Sequence, residues 1–244
     1  MLTIKNKAEV AEIFLSGDIV DDTEGGWLSE WREETTGYVF PQKLKEQLDA
    51  IGKDTPIEMH INSCGGSVFA GVAMANFIKN HKGKTTCIID GIAASIATQI
   101  FFSADVAKMP SNAYVMLHKP FTIIEGNADE LRKAAEILDT LQDGLETTYI
   151  PKLQNTISLN KLRELINAET WLTGTEAKEI FKIQLLNPVK TLNAVGNVDK
   201  LKARGSKIPA ELNFLDESKF DDAQKKIEKV FTKMKGMMAD VEKR

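Results

Sequence analysis

Cysteine, histidine and tryptophan are scarce in this 244-residue chain, with two, three and three copies. Cys64 and Cys87 are too few for a disulfide framework or a cysteine-ligated zinc site, so a reduced compartment and no metal are expected. No stretch approaches the roughly 18 consecutive apolar residues that a membrane-spanning helix needs. The first residues, MLTIKNKAEVAEIF, interrupt their apolar positions with charges where a secretory signal would run unbroken. An excess of one charge is missing too. Against 31 Lys and Arg stand 35 Asp and Glu, and a formal charge of −4 exerts no long-range pull on nucleic acid or anionic membrane. A cytoplasmic protein without nucleic-acid or membrane partners is therefore expected.

The chain does carry material for a large core, with 43% hydrophobic and 27% charged residues. Alternation in EIFLSGDIV (12–20) predicts a strand, and the polar stretch holding Gly25, Gly26, Trp27 and Trp31 predicts a loop. Residues 41–52 predict a helix, with Pro41 in its first turn and Gly52 near its end. PIEMHINS is a strand leading into the turn Cys64–Gly65–Gly66, and residues 68–81 have helical apolar spacing. Residues 84–90 predict a strand and 91–104 an apolar helix. VAKMP and AYVMLHKP predict short strands, and helices are expected over 127–150 and 159–168. Strands alternating with helices argue for an α/β domain over 1–186, its largely parallel sheet covered on both faces. Residues 187–215 read as an irregular linker. Phe220, Ala223, Ile227, Val230, Met234, Met237 and Val241 then recur at spacings of three and four, the seam of a C-terminal amphipathic helix. That helix packs on its own domain or on a partner.

Four short segments carry chemistry. In INSCGGSVFAG (61–71) two glycines follow a strand and open a helix, so backbone N–H groups can face an anion or an oxyanion. The turn lacks the lysine of a phosphate-binding loop and the G-x-G-x-x-G of a dinucleotide site. In DGIAASIA (90–97) a strand turns into a helix with Ser95 near its start, where the helix dipole and the Ile96 N–H favour developing negative charge. In YVMLHKP (114–120) His118 closes an apolar strand, placed to reach a neighbouring strand end. In NAETWLTGTEA (167–177) Thr173 and Glu176 form a capping box, and Glu169 precedes a strand-like segment. Taken singly, a glycine turn, a packed serine, a core histidine and a solvated carboxylate are ordinary structural features. His60, inside a strand, and His81, in a polar run, are read as structural.

The order INSCGGSVFAG, DGIAAS, MLHKP, WLTGTEA resembles the ClpP peptidase family, whose pieces read roughly INSPGGSV-AG, G-AAS, MIHQP and F-(S/T)A-EA. Similarity covers about residues 10–186. The resemblance implies a ClpP/crotonase-like α/β fold and a serine peptidase with Ser95 as nucleophile, His118 as general base and Gly66 and Ile96 as oxyanion donors. The acid falls before the WL pair: matching Trp171 to the family's Phe gives Glu169, and a slip of two residues gives Asn167. The resemblance further implies extended substrate binding near Gly65, Ser67, Val68 and Gly126. It implies no cofactor, a handle-like helix over 127–150, and assembly into a homo-oligomeric ring or double ring. Cys64 stands where the family usually has Pro, on the oxyanion turn rather than facing a base. The loop with Trp27 and Trp31, the tail beyond 187, and the TWLT and GNADELRK (126–133) segments look more like the Clp-type prohead proteases of tailed phages and prophages. That subtype would cleave capsid or scaffold proteins in the bacterial host cytoplasm or in the prohead; a Clp ATPase partner is left open. The competing readings are a crotonase-type acyl-CoA enzyme, which shares the fold and the glycine turn, and a non-catalytic capsid assembly protein.

Overall fold

Alternation sets the centre of the sheet. In the computed structural model, which describes residues 2–6, 10–31 and 37–188, Ala11, Ile13 and Leu15 point to one side of their strand and are buried. Ile57, Met59 and Ile61 do the same in the next strand of the sheet. In chain order the elements are β1 (Leu2–Asn6), β2 (Ala11–Ser16), β3 (Asp18–Ile19), α1 (Asp22–Trp31), β4 (Tyr38–Val39), α2 (Pro41–Ile51), β5 (Ile57–Ser63) and α3 (Val68–Asn80). They continue with β6 (Thr85–Ala94), α4 (Ala97–Ser103), β7 (Val106–Pro110), β8 (Tyr114–Leu117) and α5 (Ala128–Tyr149). After a single 3-10 turn come α6 (Leu159–Asn167), β9 (Thr170–Thr173), α7 (Gly174–Ile180) and β10 (Gln184–Leu186).

The main sheet has eight strands in the order β1-β2-β5-β6-β7-β10, with β8 on β6 and β9 on β8. Among the described strands, only the β1–β2 and β8–β9 pairs are antiparallel; β3 and β4 form a separate parallel pair. The fold is thus α/β with a mostly parallel sheet, as the sequence implies. The core beneath it gathers Ile13, Leu15, Met59, Met74, Ile89, Ile100, Phe101, Phe102 and Phe181. On the face away from this core, alternate residues of β2, β5 and β6 are part-buried among the described residues.

Two local expectations need correction, and one strand was not expected. Residues 22–31 are helical despite Gly25 and Gly26. Asp21 accepts a bond from the Glu24 amide at 2.9 Å, and Gly25 lies against the Phe40 ring, where a Cβ would come within 2.4 Å of a ring carbon. Residues 91–94 extend β6 rather than opening the helix, which starts at Ala97. Ile92, Ala93 and Ala94 are all buried, as in a strand packed on both sides, and periodicity alone does not separate that from a buried helix. β10, with two exposed residues, carries no apolar alternation to announce it. The amphipathic seam from Phe220 to Val241 lies outside the described residues.

Candidate active site

β5, β6 and β8 run parallel side by side, so their C-terminal ends open along one edge of the sheet. β9, antiparallel to β8, brings its N-terminal end to the same edge. β6 also changes partner along its length, pairing with β7 through Thr86–Ile88 and with β8 through Ile92–Ala94. In open parallel sheets the carboxyl ends of strands where neighbours diverge are the usual place for chemistry.

Ser95 follows β6 directly. Its backbone is left-handed, with φ +56, and its amide donates to the Met116 carbonyl on β8 at 2.9 Å. A non-glycine residue held at positive φ costs about 1–3 kcal/mol, and such strain persists only where the surroundings over-determine it. Here the Thr98 amide and hydroxyl both donate to the Ser95 carbonyl, and Thr98 in turn shares a 2.6 Å hydrogen bond with the buried Tyr149 hydroxyl of α5. Gln99 donates to the Leu145 carbonyl at 3.1 Å. The serine turn is therefore tied to α5 as well as to the sheet.

His118 follows β8, and its Nε2 lies 2.6 Å from Ser95 Oγ. The β8–β9 register pairs Leu117 with Thr170, so one further step sets His118 opposite Glu169. The two residues line one small cleft, together with Phe121 and Ile166. Glu169 is the second non-glycine residue of positive φ among those described, at +51, in the tight turn that ends α6. Asn167, the alternative acid position, also lines the cleft but ends α6 and is exposed.

The glycine turn closes the other side. Gly65 (φ +89) sits against the serine: a Cβ there would lie 2.8 Å from Ser95 Cβ. At Gly66 (φ +152) a Cβ would fall 1.9 Å from the Ile19 carbonyl oxygen, so only glycine fits. The Ile19 amide donates to the Gly65 carbonyl and the Ser67 amide to the Ile19 carbonyl, at 2.9 and 2.8 Å. In such a parallel bridge the N–H and C=O of Gly66 itself face the opposite side. Ile96, whose amide is the second expected donor, is buried against α3, and a Cβ on Gly71 would lie 2.2 Å from its Cγ1.

Ser67 and Val68 open α3 beside this turn, and Gly126 lies in the exposed segment just before the Asn127 cap of α5. His81 donates through Nε2 to the Thr55 carbonyl at 2.7 Å and stays structural. Cys64 is buried in the turn; burial pushes the Cys87 thiol up to about 12, far from thiolate chemistry at neutral pH. Sequence reasoning missed Ile19, Thr98 and Tyr149. Thr98, three residues after the serine, is a recognisable side-chain-to-backbone pattern; the other two join the site only through tertiary packing.

Residues 30–182 match the family model described as Clp protease. Among curated proteins, the chain is 33% identical over 136 residues to an ATP-dependent Clp protease proteolytic subunit of Bigelowiella natans, covering 54% of this chain and 67% of that protein. It is 28% identical over 134 residues to proteins of the same description from two strains of Bacteroides fragilis, covering 64% and 60% of their lengths. The matched stretch thus spans roughly three fifths to two thirds of these relatives.

Proposed function

The chain belongs to the Clp protease family, a family of serine peptidases, and we propose that it is a serine endopeptidase with Ser95 as nucleophile and His118 as general base. The observation that carries this reading is the 2.6 Å separation of Ser95 Oγ and His118 Nε2. As Oγ attacks the scissile carbonyl carbon, its proton passes to Nε2; the same proton then goes to the leaving amine, and water repeats the sequence on the acyl-enzyme. The tetrahedral oxyanion accepts hydrogen bonds from the Gly66 and Ile96 amides. Glu169 holds the imidazole tautomer and stabilises the imidazolium. A carboxylate does this and an amide does not, which favours Glu169 over Asn167. No step calls for a cofactor. The crotonase reading is not carried forward, since the family found is that of the peptidases.

A peptide substrate binds extended between Gly65–Val68 and Gly126. Ile19 already occupies one edge of the glycine turn, so the substrate takes the edge to which Gly66 turns its N–H and C=O. The cleaved proteins are capsid or scaffold proteins of a tailed phage or prophage, a subtype supported by the TWLT and GNADELRK segments. The enzyme acts in the host cytoplasm or the prohead. It is read as an ATP-independent endopeptidase, because capsid maturation would not require an ATPase; a Clp ATPase partner stays open. It acts as a homo-oligomer, a ring or double ring. Exposed Leu131 and Ile137 on α5, with Phe121, Ile123 and Ile124 just before it, support self-association along this helix. Co-expression with the phage capsid and scaffold proteins, read by intact mass, tests the reading: wild type yields truncated capsid protein and Ser95→Ala does not. Identical masses from both would remove the proposed substrate class.

A further inference from the structure

The part-buried face of the sheet carries a cluster that the peptidase chemistry does not use. Register pairs Glu12 with Glu58 and Phe14 with His60 across β2 and β5, and all four side chains share the face opposite the core. His60 Nδ1 lies 2.7 Å from Asp90 Oδ1 on β6, and the Phe14 ring stacks on the imidazole at 4.8 Å between centroids, 17° from parallel. One nitrogen and the ring plane are therefore fixed. The remaining nitrogen, Nε2, faces Glu58 Oε1 at 3.8 Å. One ligand atom from each of Glu12, Glu58 and His60 falls within 4.8 Å of the others.

That arrangement has the parts of a metal site in order. An imidazole presents Nε2 while a carboxylate holds Nδ1–H, the pattern that orients and strengthens a histidine ligand. Two further carboxylates supply the negative charge and oxygen donors. Zinc accepts one nitrogen and two oxygens, with room for water in a fourth position. Hard calcium or magnesium prefers all-oxygen shells, so the histidine selects a transition metal. The three ligands come from two strands and the orienting aspartate from a third, so rigid elements hold them.

We propose that Glu12, Glu58 and His60 bind a divalent transition cation of the zinc type, with Asp90 as the positioning residue. The site lies on the face of the sheet, none of its residues lines the cleft of His118 and Glu169, and it stands independently of the peptidase reading. Lys108 competes for it: its Nζ is 3.5 Å from Glu58 Oε2 and must release that oxygen when the cation enters.

The test uses the full-length protein, stripped with a chelator and titrated with zinc chloride against a chromophoric competitor. Cobalt(II) serves as a second probe, through the visible absorption of a low-coordinate site. Wild type takes up one zinc per chain. His60→Ala and Glu12→Gln each abolish that uptake, and Glu12→Gln leaves the His60–Asp90 contact intact, which controls for folding. Asp90→Asn weakens binding about 10- to 100-fold, the usual effect of removing such a partner, and Lys108→Ala tightens it. No stoichiometric zinc in wild type, or uptake unchanged in His60→Ala or Glu12→Gln, overturns the site. Unchanged affinity in Asp90→Asn overturns the assignment of Asp90.

Discussion

Gly71→Ala puts two opposing effects in direct competition. In α3, replacing a mid-helix glycine by alanine should stabilise by about 1 kcal/mol from propensity alone. The added Cβ, however, would stand 2.2 Å from Ile96 Cγ1 and 3.2 Å from Ile96 Cβ and Cγ2. Ile96 is 3% exposed and belongs to the hydrophobic core, so its side chain moves only at the expense of its neighbours. Overpacking of this kind costs about 1–3 kcal/mol, so the balance is a net loss of up to about 2 kcal/mol by urea denaturation. The functional cost is larger. Ile96 carries an amide assigned to the oxyanion and adjoins Ser95, and a displacement near 1 Å of such a group lowers turnover about 100-fold. Peptide hydrolysis should therefore fall in kcat while most of the protein remains folded. A cycle with Ile96→Ala sharpens the test. That change alone opens a cavity worth about 2–5 kcal/mol, but it removes the clashing atom, so the pair should be coupled favourably by at least about 1 kcal/mol. A Gly71→Ala variant that gains stability with unchanged kcat would refute the reasoning.

Three other outcomes follow from named contacts. Glu169→Gln should lower kcat about 10³- to 10⁴-fold with KM little changed, while Asn167→Ala stays within about threefold; steady-state kinetics showing the reverse order would move the acid to Asn167. Arg163 donates through Nε to both oxygens of Glu146, at 2.9 and 3.1 Å, and Glu146 is 2% exposed. Arg163→Met leaves that buried carboxylate with the Gln142 amide, which donates to Oε1 at 3.1 Å, and should cost about 2–3 kcal/mol in urea unfolding, less than for a fully buried pair because the arginine is itself half-exposed. The Asp90 hydrogen bond raises the His60 pKa above its ordinary 6.5. A raised folded value means stability that is full below about pH 6.5 and lost as pH rises through the folded pKa. In chelator-treated protein Asp90→Asn should therefore lose more stability at pH 5.5 than at pH 8.5, and an equal loss at both would contradict the assignment.

The strand framework was legible where one face is buried. Ala11–Ser16 and Ile57–Ser63 alternate because each places every second residue in the core. It was illegible where tertiary contacts override local preference. Gly25 belongs to a helix because it accommodates the Phe40 ring, and no local rule contains that fact. Residues 91–94 look helical because small apolar residues carry no period, yet they form the end of β6 that aims Ser95. Ser95, His118, Gly66 and Ile96 could be named from their motifs, since each sits at a strand end or turn whose local signature survives in the sequence. The proposal of Glu169 over Asn167 draws on the β8–β9 register, a relation between strands that begin 56 residues apart in the chain. The link from Ser95 through Thr98 to Tyr149 depends on how α5 docks, which no single segment encodes.

The most direct measurement is covalent labelling of the intact protein with a fluorophosphonate, read by mass and peptide mapping. One adduct per chain on Ser95, absent in Ser95→Ala and strongly slowed in His118→Ala, is the expected result. No adduct on folded protein, or peptide hydrolysis that persists in Ser95→Ala, would contradict the account.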